Sequence, residues 1–161
     1  MPDLRDYQDL PDVDRAAFLR IVGGRPTRFA SGSIGRFEWL LHLANHSEPI
    51  GWVSLRIAEA SRISAEIGYS VVREHRSKGI ATEAVAGVVD EGFRRARLRE
   101  IRAYCLPENL SSRAVLRNNG FEERGTLPRG ATVQGKPVDV IQYALNRERW
   151  SATAQREYAS S

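Results

Sequence analysis

One cysteine, one methionine and no apolar run near the ~20 residues of a membrane span set the first limits on this 161-residue chain. A lone thiol, Cys105, leaves no internal disulfide framework and no cysteine-rich metal site. His42, His46 and His75 lack metal-ligand spacing, so no metal is expected. The opening MPDLRDYQDL has no apolar core of a secretory signal. Low-complexity tracts and internal repeats are also missing. The expectation is a soluble, cytoplasmic protein that does not engage a membrane, as a monomer or homodimer.

The hydrophobic content of 42% is enough for one ordinary core, and the length suits one domain. The net charge of +4 comes mostly from arginines spread along the chain, such as Arg94, Arg95, Arg97, Arg99 and Arg102. Nucleic-acid binders more often cluster basic residues on one face with interleaved aromatics, or show a known module. No specific nucleic-acid partner is therefore expected, and the charge is available for an anionic cofactor or an acidic partner.

Residues 9–22 have helical spacing, with Pro11 near the start and acids in the first turn. Residues 23–36, rich in glycine, serine and arginine, read as a loop. Phe37–Ala44 and Pro49–Ile57 form a predicted hairpin, and Ile63–Val72 a third strand. Gly79–Ala96 is the strongest helix, with an apolar stripe of Ile80, Ala84, Val85, Val88, Val89 and Phe93. Asp90 and Glu91 stand four residues before Arg94 and Arg95, the favourable order for ion pairs. A strand at Glu100–Leu106 precedes a short helix at Leu110–Asn119, which Asn109 caps and Gly120 ends. Strands at Phe121–Leu127 and Pro137–Leu145 flank a turn at Gln134–Lys136, and residues 151–161 read as a frayed tail. This order predicts a single α/β domain over residues 1–150 with a mixed, mostly antiparallel sheet and flanking helices.

The chemistry concentrates in IGYSVVREHRSKGIA, residues 67–81, where a buried strand enters a short basic loop and then the strongest helix. Unpaired backbone N–H groups and a partial positive charge at a helix start favour an anion. Arg76 and Lys78 add full charges, and Gly79 lets a ligand approach the backbone. The dinucleotide glycine pattern and the GxxxxGK[ST] loop are both absent.

Arg76-Ser77-Lys78-Gly79-Ile80-Ala81 resembles the RxxGxA pyrophosphate loop of the GNAT superfamily of N-acetyltransferases, and Thr82-Glu83-Ala84 continues the likeness. PENLSSRAVLRNNGFEERGTL (Pro107–Leu127) and VQGKPVDVIQYALNRERW (Val133–Trp150) are similar to the Rim-type ribosomal-protein N-terminal acetyltransferases. The resemblance covers roughly residues 48–150. It implies acetyl-CoA as cofactor, its diphosphate on the loop from Arg76 to Ala81 and its pantetheine arm along the strand at Tyr69 and Val71. Asn109 reads either as a helix cap alone or, as the resemblance implies, as the asparagine that bonds the pantetheine amide. Ser112 takes that of the Rim-type serine that protonates the departing thiolate. Cys105 reads as core.

The implied reaction is direct attack of a neutral primary amine on the thioester. No base stands out. The glutamate seat of histone-acetylating relatives falls on Ala65, and the late-loop seat of some Rim-type members on Ala131. Glu66 is the remaining candidate, one residue out of phase on a regular strand unless a bulge intervenes. An α-amine, with a reference pKa near 8, is roughly a tenth to a quarter neutral around pH 7–7.5, whereas a lysine is neutral to about one part in a thousand. The expected acceptor is therefore a protein or peptide N-terminal α-amine. A small-molecule amine acetyltransferase and a non-catalytic acyl-CoA-binding module are the alternatives. Residues 1–36 depart from the Rim-type pattern, which opens on a clear first strand.

Overall fold

The computed structural model describes residues 29–43 and 47–159. The helix expected at 9–22 and the turn residues Asn45 and His46 lie outside the described residues. The elements run β1 (Gly35–Leu41), β2 (Gly51–Ile57), β3 (Ser64–Val71), α1 (Ile80–Arg94), β4 (Glu100–Cys105), α2 (Leu110–Asn118), β5 (Glu122–Val133), β6 (Lys136–Asn146) and α3 (Arg147–Ala159). A single 3-10 turn, Arg73–His75, separates β3 from α1.

The six strands form one sheet in the order β1-β2-β3-β4-β6-β5. Only β3 and β4 run parallel; the other neighbours are antiparallel. The sheet is therefore mixed and mostly antiparallel, as the sequence predicts. Period-two alternation puts Val53, Leu55 and Ile57 of β2 and Ala65 and Ile67 of β3 on one face. That face meets Val85, Val88, Val89 and Phe93 of α1, Leu116 of α2 and Trp150 of α3 in one continuous core. Phe93, Leu55, Ile67, Ile101 and Leu145 are almost wholly removed from water. Burying a side chain of this size contributes about 1.5–3 kcal/mol.

Local signals hold where they are strong. Arg94 pairs with Asp90 at 2.9 Å and Arg95 with Glu91 at 3.0 Å, one turn apart on α1. Asn109 Oδ1 accepts from Ser112 N at 3.1 Å and caps α2. Gly120, at φ 83°, ends the helix, with Phe121 N donating to Leu116 O at 3.0 Å. The β5–β6 hairpin closes through Gln134 and Gly135, both at positive φ, the geometry that matches strand twist.

Three boundaries differ from expectation, the first being β1, which runs Gly35–Leu41 and so begins inside the loop expected at 23–36 and stops short of Ala44. β5 continues past Leu127 to Val133 by taking register shifts between Glu123 and Gly125 and between Leu127 and Ala131. In the second shift Arg129 N donates to Asp139 Oδ1 at 2.9 Å, and Ala131 is buried against Val140. Pro128 and Gly130 hide this strand from a periodicity reading. The expected frayed tail is instead helix α3. Asn146 Oδ1 accepts from Arg149 N at 2.8 Å, capping its start. Trp150 stacks on Phe93 with ring centroids 5.0 Å apart, and Arg94 lies over the same indole at 5.2 Å.

Trp150→Ala removes that stacking and the cover over Phe93. The expected cost is about 2–3 kcal/mol in urea unfolding, at the lower end for a large aromatic because Trp150 is only half-buried. Amide exchange should quicken across α3 while α1 stays protected.

Candidate functional site

The parallel pairing of β3 with β4 spans three residue pairs, Ser64–Glu100, Ala65–Ile101 and Glu66–Arg102. Its base is closed by Arg99 N and Glu100 N, which both donate to Ile63 O, at 2.7 and 3.2 Å. Beyond Glu66 the strands part, each held by its other neighbour: β3 by β2 along its whole length, β4 by β6. Val72 N donates to Ile50 O at 2.8 Å, which fixes the hydrogen-bonding phase of β3. Alternation then turns the N–H and C=O groups of Tyr69 and Val71 away from β2 and into the gap.

A cavity of about 610 Å³ opens along the edge of β3 that this parting leaves unpaired. β3 gives one wall through Tyr69 and Val71; α2 gives the other through Asn109, Ser112 and Val115. Ser77, Gly79, Ile80 and Ala81 form its far end. Asn119 Nδ2 donates to Thr82 O at 3.2 Å, fixing the end of α2 to the start of α1.

Gly79 sits at φ 78° immediately before α1, and no side chain caps the helix. The first-turn N–H groups of Ile80, Ala81 and Thr82 consequently have no partner within the helix. A Cβ on Gly79 would meet nothing within 4 Å, so the space beside these donors is open, and it is conformation that calls for glycine. Ser77 also holds a positive φ of 60°. Together these residues turn backbone N–H groups toward the cavity, a fit for a diphosphate.

The basic residues divide. Arg76 lines the cavity, but its Nε donates to Val71 O at 3.0 Å, so it first braces the strand end. Lys78 is exposed and lies outside the cavity lining. Asn109 uses Oδ1 as the helix cap, which leaves its Nδ2 donor for the cavity it lines. The cap and ligand readings of this residue are therefore compatible.

Tyr69 and Ser112, from opposite walls, meet across the gap. Their hydroxyl oxygens are 2.7 Å apart, and the phenol oxygen also lies 3.2 Å from Ser112 O, a second acceptor within reach of its one proton. Burial pushes the Tyr69 phenol well above its ordinary range, against a smaller lowering by the Ser112 hydrogen bond. The group stays protonated at any working pH. Cys105 is buried in the core as expected, and burial pushes its thiol up to about 11.

Glu66 is not brought to the cavity. β3 keeps unbroken register with β2 from Ala65 to Val71, so no bulge rotates it. Its carboxylate lies on the opposite face of the sheet, ion-paired with Arg56 of β2. Ala65 is buried in the core, and Ala131 stands on β5 rather than in a loop. Sequence reasoning missed Thr82, Ser111 and Val115 as cavity residues and the Tyr69–Ser112 bond. The helical spacing of Ser111, Ser112 and Val115 after Asn109 was the available signal.

Residues 7–122 match the model of the acetyltransferase (GNAT) domain. The chain belongs to the GNAT acetyltransferase family. It is 34% identical over 128 residues to the uncharacterized N-acetyltransferase p20 of Bacillus licheniformis, covering 80% of this chain and 66% of p20. It is 30% identical over 97 residues to the ribosomal-protein-serine acetyltransferase of Escherichia coli, covering 60% of this chain and 54% of that protein. Among solved structures, Mycobacterium smegmatis RimJ in complex with CoA-disulfide superposes with a TM-score of 0.67 at 27% identity, covering 88% of this chain and 81% of that one. The chain spans about half to two thirds of the length of the curated relatives it matches.

Asn109→Asp and Asn109→Ala separate cap from ligand contact. Aspartate keeps the capping oxygen and loses the donor, so coenzyme A should bind more weakly by calorimetry with stability little changed. Alanine should lose both, with a stability cost of about 1 kcal/mol. Equal coenzyme A affinity in wild type and Asn109→Asp would leave only the cap.

Proposed function

We propose that this protein is an acetyl-CoA-dependent N-acetyltransferase whose acceptor is the α-amine of a protein or peptide N-terminus. The observation that carries the reading is the gap between β3 and β4, with backbone donors on one wall, Asn109 and Ser112 on the other, and an uncapped helix start at its end. The curated relatives named as N-acetyltransferases, and the CoA-disulfide bound to the RimJ homologue, support the same cofactor. The name of the Escherichia coli relative supports a ribosomal protein or another protein as acceptor.

Acetyl-CoA supplies an activated acyl group on a thiol leaving group. The first-turn N–H groups of α1 and the backbone at Ser77 and Gly79 hold its diphosphate, with Lys78 contributing only longer-range attraction. Val71 N–H and Asn109 Nδ2 hold the pantetheine arm along β3. The Tyr69 N–H, the other β3 donor turned into the gap, faces the position where negative charge develops on the acyl oxygen. Holding amine and acyl group together in this gap converts an encounter into a local reaction. Ser112, inside the cavity wall, is the donor of a proton to the leaving sulfur. Glu66, paired with Arg56 across β2 and β3, acts as a structural carboxylate rather than as the base. An α-amine suits such a site because a useful fraction is neutral without one.

Gly79→Asp places a side chain and a negative charge where the diphosphate binds. Coenzyme A binding should fall below calorimetric detection; wild-type affinity would move the cofactor elsewhere. Glu66→Gln should cost about tenfold or less in turnover, below the ~10²–10⁴ of general acid–base catalysis. Acceptor choice is tested with two peptides, one with a free N-terminus and blocked lysine, the other the reverse. The first should be acetylated faster, with a pH–rate profile following deprotonation of its own amine near pH 8. Faster lysine acetylation, or near-total loss in Glu66→Gln, would overturn the acceptor assignment. Preference for a polyamine or amino acid would establish the small-molecule alternative.

A further inference from the structure

The Tyr69–Ser112 contact does more than line a cavity. Tyr69 stands on β3 and Ser112 on α2, 43 residues apart, and their hydroxyls meet at 2.7 Å where the two walls approach. The phenol has one proton and the serine hydroxyl one. Two arrangements are open to the pair. Serine donates to the phenol oxygen while the phenol donates to Ser112 O, 3.2 Å away; or the phenol donates to Ser112 Oγ and leaves the serine proton free. Only the second has a proton to give to a ligand in the cavity.

We propose that Tyr69 is a positioning residue, whose phenol donates to Ser112 Oγ and so aims the serine proton at the departing sulfur. This rests on the reading of Ser112 as the donor to that sulfur. As the carbon–sulfur bond breaks, the sulfur takes the Ser112 Oγ proton. The attacking amine releases one proton to solvent, and Oγ regains one from solvent, so the sum is acylated amine and free thiol. Tyr69 keeps its own proton throughout; its burial disfavours the phenolate and makes it a permanent donor. Its hydrogen bond stabilises Oγ while the oxygen is short of a proton. Tyr69 reaches Ser112 from the strand side, which leaves the serine between phenol and sulfur.

Tyr69→Phe keeps the ring and deletes one oxygen. Turnover should fall about five- to tenfold, the worth of one neutral hydrogen bond. The Michaelis constant for acetyl-CoA, the calorimetric affinity for coenzyme A and the melting temperature should stay close to wild type. In a Ser112→Ala background the same substitution should cost nothing further, because its only route of action has gone. Wild-type turnover in Tyr69→Phe, an equal loss in both backgrounds, or a loss matched by weaker coenzyme A binding would overturn the positioning role and leave Ser112 as the donor. Wild-type turnover in Ser112→Ala alone would overturn the donor assignment and the positioning role with it.

Discussion

Three residue pairs of parallel sheet between β3 and β4 are the constraint on which the site depends. A longer pairing would consume the N–H and C=O groups of Tyr69 and Val71, and no gap would exist. Each strand is fully paired on its other side, so the two halves of the sheet are firm while the seam between them opens. Backbone donors in a sheet interior are normally satisfied. Here they are left facing a cavity, a configuration that a ligand lying as an added strand completes.

The helices are arranged around that opening. α1 begins at its far end with uncapped N–H groups, and α2 lies along one wall with Asn109 and Ser112 turned inward. Asn119 ties the two helices, and Tyr69 spans the gap to Ser112. Arg113 braces α2 from outside: it donates to Pro107 O, to the Tyr143 hydroxyl and to Glu123, each at 3.1 Å. At the base of the seam Arg147 N donates to Arg99 O at 2.8 Å, so α3 supports the three pairs that remain. The polar atoms that shape the site are thus positioned by contacts outside it.

Much of this was legible in the sequence where one local rule acted alone. The stripe from Ile80 to Phe93, the glycine at Gly79 and the cap at Asn109 follow from helix chemistry over a few residues, and the structure has each of them. The sequence pattern ends β5 at Leu127 because Pro128 and Gly130 sit in a bulge that only the partner strand defines. Residues 151–161 carry little local signal of order because the hold on α3 comes from Phe93, far away in sequence, and not from its own composition. The Tyr69–Ser112 bond and the bracing of Val71 by Arg76 depend on where separate elements come to rest. Alternation alone did place Glu66 off the core face, and β3 stayed regular enough to keep it there.

Residue-resolved amide exchange, with and without coenzyme A, tests the central claim most directly. Coenzyme A should slow exchange at Val71 and at Ile80 and Ala81, while Ser70 and Val72, bonded to β2, change little. Tight binding of coenzyme A with no change at Val71 and the first turn of α1, and with protection appearing elsewhere on the sheet, would contradict the account.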